Sequence, residues 1–104
     1  GWQVRNGQMY YLDGSGAMIT GWLSWNGRWC YMNETQDQYY GCLVCGHWLN
    51  RDGKTYYLDG VGYMAEGWYQ VDGNWYYFYP GQGNKAVNTT IDTFYVNQQG
   101  IWVH

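Results

Sequence analysis

Hydrophobic and polar positions alternate along this chain in short bursts of residues, and each burst breaks at a glycine. Trp2 and Val4 are followed, across Asn6-Gly7, by Met9 and Tyr11; Trp68 is followed, across Asp72-Gly73, by Trp75 and Tyr77. A period of two over so few residues predicts short strands. Asn-Gly and Asp-Gly are the dipeptides of type I′ turns, in which both central residues take positive φ. Asn6-Gly7, Asn26-Gly27, Asp52-Gly53 and Asp72-Gly73 therefore predict two-residue hairpin loops. A looser turn containing glycine comes about six residues later, at Asp13–Gly16, Asp59–Gly62, Pro80–Gly83 and Asn97–Gly100. No segment has a helical period. The expected fold class is all-β.

The pattern is also a repeat, and repeats decide architecture before anything else does. Gly1-Trp2, Gly21-Trp22 and Gly67-Trp68 open similar phrases, and Trp48 opens another after Gly46-His47. They divide the chain into repeats of approximately 1–20, 21–45, 46–66 and 67–88, with a shortened capping unit at 89–104. The second carries about five extra residues around Glu34–Gln38. A lone hairpin is only marginally stable in water, so such units must stack. The expectation is one module over 1–104, a solenoid of stacked short β-hairpin repeats with an aromatic spine.

The turns also fix which side chains share a face. With Asn6-Gly7 as the loop, Arg5 lies opposite Gln8, Val4 opposite Met9 and Trp2 opposite Tyr11, so Trp2, Val4, Met9 and Tyr11 lie on one face. The same count puts Trp22, Ser24, Trp29 and Tyr31 together, and Trp68, Gln70, Trp75 and Tyr77 together. In the second and fourth repeats the two tryptophans become diagonal cross-strand neighbours, within reach of each other. The opposite face carries Tyr10 and Leu12, Tyr56 and Leu58, or Tyr76 and Phe78.

Composition sharpens this picture. Of 104 residues 22% are aromatic, with 13 Tyr and 8 Trp, against 12% charged. Apolar burial is expected to come largely from rings, each of which covers a large area. The net charge of −3 and singly scattered cations argue against nucleic acid, which requires clustered positive charge. No apolar run approaches the length of a membrane span, so membrane insertion is not expected.

One aromatic face is enough to join neighbouring hairpins, and the second set of rings is a surplus. Paired tryptophans meeting a ring from the next hairpin form an open, electron-rich box. That box suits a quaternary ammonium, which has no hydrogen-bond needs and is drawn to ring faces. At about 0.5–2 kcal/mol per ring, three rings give a site in the range of about 1 mM, or roughly −4 kcal/mol. Useful affinity then requires several sites on one polymer. The same rings could equally be core, and for any single ring that is the more common role.

The phrase G-W-x4-G-x-W-Y-Y-L/F-D-x-x-G-x-M, written here as GWQVRNGQMYYLDGSGAM and GWYQVDGNWYYFYPGQG, resembles the cell-wall-binding repeat of choline-binding proteins. The ending NTTIDTFYVNQQGIWV is similar to the last repeat of such arrays. The resemblance implies a secreted, cell-wall or cell-surface module that holds choline of teichoic or lipoteichoic acid between consecutive hairpins. It implies a site at Trp22, Trp29 and Tyr57, and another at Trp68, Trp75 and Tyr95. A third, at Trp2 and Tyr31, is weakened because Met9 stands where the second tryptophan belongs. Thr55 stands at that position in the third repeat, so a Trp48/Tyr77 site is expected to be lost. No cofactor and no metal are implied.

Two other readings stay open. Glucan-binding and toxin receptor-binding repeats are similar, and they stack rings on cell-surface carbohydrate. A structural or dimerising stalk without a small ligand would use exposed rings as a protein interface, and a homodimer is compatible with every reading. An enzyme is the weakest candidate. Glycan hydrolysis needs paired carboxylates, whereas Asp13, Asp52, Asp59 and Asp72 all fall in turns, where a backbone role accounts for them. His47 has no nucleophile beside it. Cys42 and Cys45 would lie roughly 10 Å apart in a strand, too far to bridge. They read as small thiols, with a bridge from Cys30 to either left open.

Overall fold

The structure, a computed structural model, describes residues 1–104. It is all-β. Five antiparallel hairpins follow one another: β1 (Trp2–Arg5) with β2 (Gln8–Tyr11), β3 (Gly21–Trp25) with β4 (Arg28–Met32), β5 (His47–Arg51) with β6 (Lys54–Leu58), β7 (Gly67–Val71) with β8 (Asn74–Phe78), and β9 (Thr89–Ile91) with β10 (Phe94–Val96). No helix is long and apolar enough to cross a membrane.

Turn chemistry produces the hairpins. Asn6 and Gly7 have φ of 52° and 76°, Asn26 and Gly27 53° and 73°, Asp52 and Gly53 53° and 75°, and Asp72 and Gly73 50° and 83°. These are the positive pairs that a type I′ loop demands. The last hairpin turns on Asp92 and Thr93, at 49° and 75°. The dipeptide signal misses it because a β-branched residue occupies the glycine position. The observed register is the one the turns imply: Trp2 faces Tyr11, Trp22 faces Tyr31, Ser24 faces Trp29, Trp68 faces Tyr77 and Gln70 faces Trp75.

The second turns are closed by side chains. Asp13 Oδ1 accepts from Ser15 N, Ser15 Oγ and Ala17 N, and Asp59 Oδ1 accepts from Val61 N, Gly62 N and Tyr63 N. Asn97 Oδ1 accepts from Gln99 N and Ile101 N. Tyr79 replaces the acid in the fourth repeat, and there Glu66 Oε1 reaches across to Gly81 N at 2.6 Å. The extra residues of the second repeat enlarge this same turn. Asn33 holds the acid's place, its Oδ1 accepting from Thr35 N and its main-chain N–H donating to Cys42 O.

The chain forms two compact units, Gly1–His47 with Leu58–Met64, and Trp48–Tyr57 with Ala65–His104. In the first, Met32, Leu58 and Met64 are fully or almost fully buried beside Cys30, Cys42 and Tyr31; in the second, Phe78, Val96, Ala65, Ala86 and Val71 are. The expectation that rings would supply most of the core is therefore corrected. Met32, Leu58, Phe78 and Val96 close the second strands of their hairpins and point inward, while Trp29, Trp48 and Trp75 stay 40%, 37% and 38% exposed.

Each of these four strand-closing residues, and Leu12 just beyond β2, also bridges to one residue beyond the second turn: Leu12 to Met18, Met32 to Leu43, Leu58 to Met64, Phe78 to Lys85 and Val96 to Trp102. From the second repeat onward, the N–H of that bridging residue donates to the preceding hairpin. Leu43 bonds to Met9 O, Met64 to Trp29 O, Lys85 to Thr55 O and Trp102 to Trp75 O, at 2.7–2.8 Å. Buried N–H groups need partners, and here the partner is always the residue at the second-strand tryptophan position. Within each unit this bond joins successive repeats and sets the bridging residue beside that position.

The three cysteines are free thiols, Cys30 and Cys42 buried and Cys45 half-buried. Burial pushes the Cys30 and Cys45 thiols up, so both are protonated at neutral pH.

Candidate functional site

In the second unit, Trp68, Trp75, Phe94 and Trp102 enclose an open cavity of about 230 Å³. Each wall has a traceable origin. Strand alternation places Trp68 on β7 and Trp75 on β8 on one face, diagonal to each other in the register that pairs Trp68 with Tyr77 and Gln70 with Trp75. Trp68 is braced from behind by Tyr77, edge-on at 5.2 Å. Phe94, beside the turn of the last hairpin, meets Trp68 edge-on at 6.0 Å and Trp102 edge-on at 5.6 Å. Trp102 is the bridging residue, fixed by its bond to Trp75 O.

The cavity is small against the roughly 300–1,000 Å³ of pockets for drug-sized ligands. It presents ring faces and few polar atoms. That combination gives little to a sugar or an anion, and suits a compact cation without hydrogen-bond demands.

The first unit holds a second cavity, of about 290 Å³, lined by Trp2, Met9, Trp25, Cys30, Leu43, Val61 and Tyr63. Trp2 stands at 5.1 Å from Tyr11 and 5.6 Å from Trp25, and Leu43 takes the bridging position. Met9 supplies one wall where Trp75 does in the other unit. The Arg28 guanidinium lies 4.9 Å over Tyr63, so a positive charge already borders this cavity.

Placement of the expected site residues follows one rule. The second-strand tyrosine of each of these hairpins packs edge-on against the first-strand tryptophan: Tyr11 on Trp2 at 5.1 Å, Tyr31 on Trp22 at 5.0 Å, Tyr57 on Trp48 at 5.1 Å and Tyr77 on Trp68 at 5.2 Å. Tyr31 is buried and its hydroxyl donates to Glu34. Trp22 and Trp29 share a face in the first unit, with Met64 bonded to Trp29 O; Tyr57 belongs to the second unit, between Trp48 and Tyr69. Tyr95 lies outside the ring set of the Trp68 cavity and is 46% exposed.

The ring that closes each cavity from the next hairpin instead flanks that hairpin's turn: Trp25 before Asn26-Gly27, and Phe94 after Asp92-Thr93. Phe94 and Trp102 were not among the expected residues. Trp102 carries a signal all the same, since it holds the place of the M in the repeat phrase, where Met18 and Met64 stand.

Family models match two stretches of the chain: a choline-binding repeat over residues 44–89 and a cell wall binding repeat over residues 1–18. A comparison with curated proteins found no match. Among solved structures, the choline binding domain of Spr1274 from Streptococcus pneumoniae is 32% identical, with 100% of this chain and 94% of that one covered and a TM-score of 0.52. This chain belongs to the choline-binding repeat family. Choline binding protein F from the same bacterium, solved in complex with ipratropium, is 41% identical over 99% of this chain and 38% of its own, with a TM-score of 0.57. The modular autolysin LytC from S. pneumoniae is 26% identical over 99% of this chain and 22% of its own, with a TM-score of 0.75. The chain thus spans less than half the length of these two proteins.

Proposed function

We propose that this chain is a non-catalytic module that anchors a secreted bacterial protein to the cell surface by caging choline of teichoic or lipoteichoic acid. The observation that carries the reading is the cavity walled by Trp68, Trp75, Phe94 and Trp102. A trimethylammonium group placed there meets ring faces on several sides, and the choline hydroxyl, which leads to the polymer, leaves through the open mouth. The ipratropium of choline binding protein F also carries a quaternary ammonium. Trp22 and Trp29, which share a face in the first unit, are the second tryptophan pair of this reading. The cavity at Trp2 is a poorer one, having Met9 for a wall and Arg28 at its border.

The test is a titration with choline and tetramethylammonium from about 0.1 to 100 mM, a window centred on the millimolar affinity expected of a few rings. Tryptophan fluorescence is the signal, and glucose oligomers run in parallel. Saturation by both cations and silence from the sugars supports the cage. A response to the sugars alone sinks it and moves the chain to the carbohydrate-binding branch.

A further inference from the structure

The third and fourth repeats together form a further aromatic cage, and its occupant is part of the chain. Trp48 is braced by Tyr57 at 5.1 Å, meets Tyr76 edge-on at 4.9 Å and lies 6.0 Å from Phe78. Thr55 takes the second-strand tryptophan position, with its hydroxyl hydrogen-bonded to Asn50 at 2.7 Å. The bridging position belongs to Lys85: it bridges Phe78 as Met64 bridges Leu58, and its N–H donates to Thr55 O as that of Met64 donates to Trp29 O. Where the other repeats place Met18, Leu43, Met64 and Trp102, the fourth places an amine that reaches back to the third.

The side chain of Lys85 is held along its length. Its Nζ lies 5.2 Å from the Trp48 ring centre and 5.6 Å from that of Tyr76, and donates to Gln99 O at 2.8 Å. Its stem crosses Gly100, where an added Cβ would fall 2.7 Å from Lys85 Cδ. Gly100 is at φ +83°, so the turn and the lysine both require glycine there. Partial burial of an ammonium costs free energy and lowers its pKa; two ring faces and a carbonyl offset that cost.

We propose that Lys85 is the resident cation of the Trp48–Tyr76 cage, filling with its own ammonium a site that would otherwise accept a quaternary ammonium ligand. Occupancy from within holds this repeat junction without ligand and removes one site from the array. The inference deepens the choline reading and rests on it for what the vacated cage would bind.

The experiment uses the whole chain in two measurements. The first is the proton NMR spectrum of the lysine side chains, of which there are two, Lys54 and Lys85. Ring currents should move the Lys85 methylene signals upfield of those of exposed Lys54. The second is a tetramethylammonium titration of the wild type and of Lys85→Met, the residue found at the same place in the first and third repeats. The variant should take up one more equivalent. Coincident signals for both lysines overturn the proposal, and so does an unchanged stoichiometry in a folded Lys85→Met whose Trp75 cage still saturates. If neither protein binds tetramethylammonium while Lys85 remains shifted, the choline reading fails and the resident lysine stands. If the variant does not fold, the wild-type spectrum decides.

Discussion

At the scale of the residue, the structure separates two roles that tryptophan and tyrosine share in the sequence. Trp75 presents an open face to the cavity and is 38% exposed, whereas Tyr77 braces Trp68 from behind. Trp75→Ala should therefore cost about 1–2 kcal/mol of cation binding, roughly a 5- to 30-fold loss at its cage, with an unchanged far-UV spectrum. Phe94→Ala should weaken binding in the same way and Tyr95→Ala should not, a contrast that isothermal titration measures directly. A different kind of residue effect belongs to Asp13, whose carboxylate is held below its ordinary range first by the Ser15 hydroxyl and then by main-chain N–H groups. A lowered pKa in the folded state gives stability that is present above the unfolded value near 3.8 and lost as pH falls through the folded one. Asp13→Asn should remove that part of the acid sensitivity, visible as a shallower fall of the denaturation midpoint below pH about 4.

At the scale of the element, the hairpins were legible because their information is local. Four Asn-Gly or Asp-Gly pairs place the loops, and a two-residue loop fixes the register, so the diagonal pairing of Trp68 with Trp75 could be read before any coordinates. The fifth turn was hidden by Thr93, which at φ 75° sits where β-branched residues are strained. Such a conformation costs on the order of 1–3 kcal/mol, and glycine gives back about 0.5–1 kcal/mol in chain entropy. Thr93→Gly should accordingly stabilise the last hairpin by up to about 2 kcal/mol, read as a higher midpoint in urea. What local patterns could not supply was the partner of each cage. Strand alternation says which face a ring occupies and nothing about how far along the next hairpin its neighbour lies. Stacking of the repeats brings the turn-flanking Phe94 to the cavity in place of Tyr95, and the bond from Trp102 to Trp75 O adds a fourth wall.

At the scale of the whole molecule, one arrangement is repeated with altered contents. The bridging position holds Leu43, Met64, Lys85 and Trp102 in turn, each bonded to the second-strand residue of the preceding repeat. Those second-strand residues are Met9, Trp29, Thr55 and Trp75, so only the second and fourth repeats supply a tryptophan pair. On the proposed reading, an array graded in this way would bind any single choline weakly, since one cage of a few rings is worth roughly −4 kcal/mol, or about 1 mM. The gain comes from joining cages on one polymer. Once one choline is seated, a second on the same chain is present at an effective concentration near the millimolar range, comparable to the dissociation constant of one cage, so each further cage engaged multiplies the affinity by about 2. A soluble polymer bearing many choline groups should then bind the chain about 2-fold more tightly, per choline, than free choline does. Trp75→Ala should abolish most of that advantage while leaving a residual single-site affinity. Surface plasmon resonance on immobilised choline polymer, with free choline as competitor, measures both. Equal affinity for polymer and free choline would mean that a single cage is engaged at a time, and the anchoring role would then have to rest on several copies of the chain.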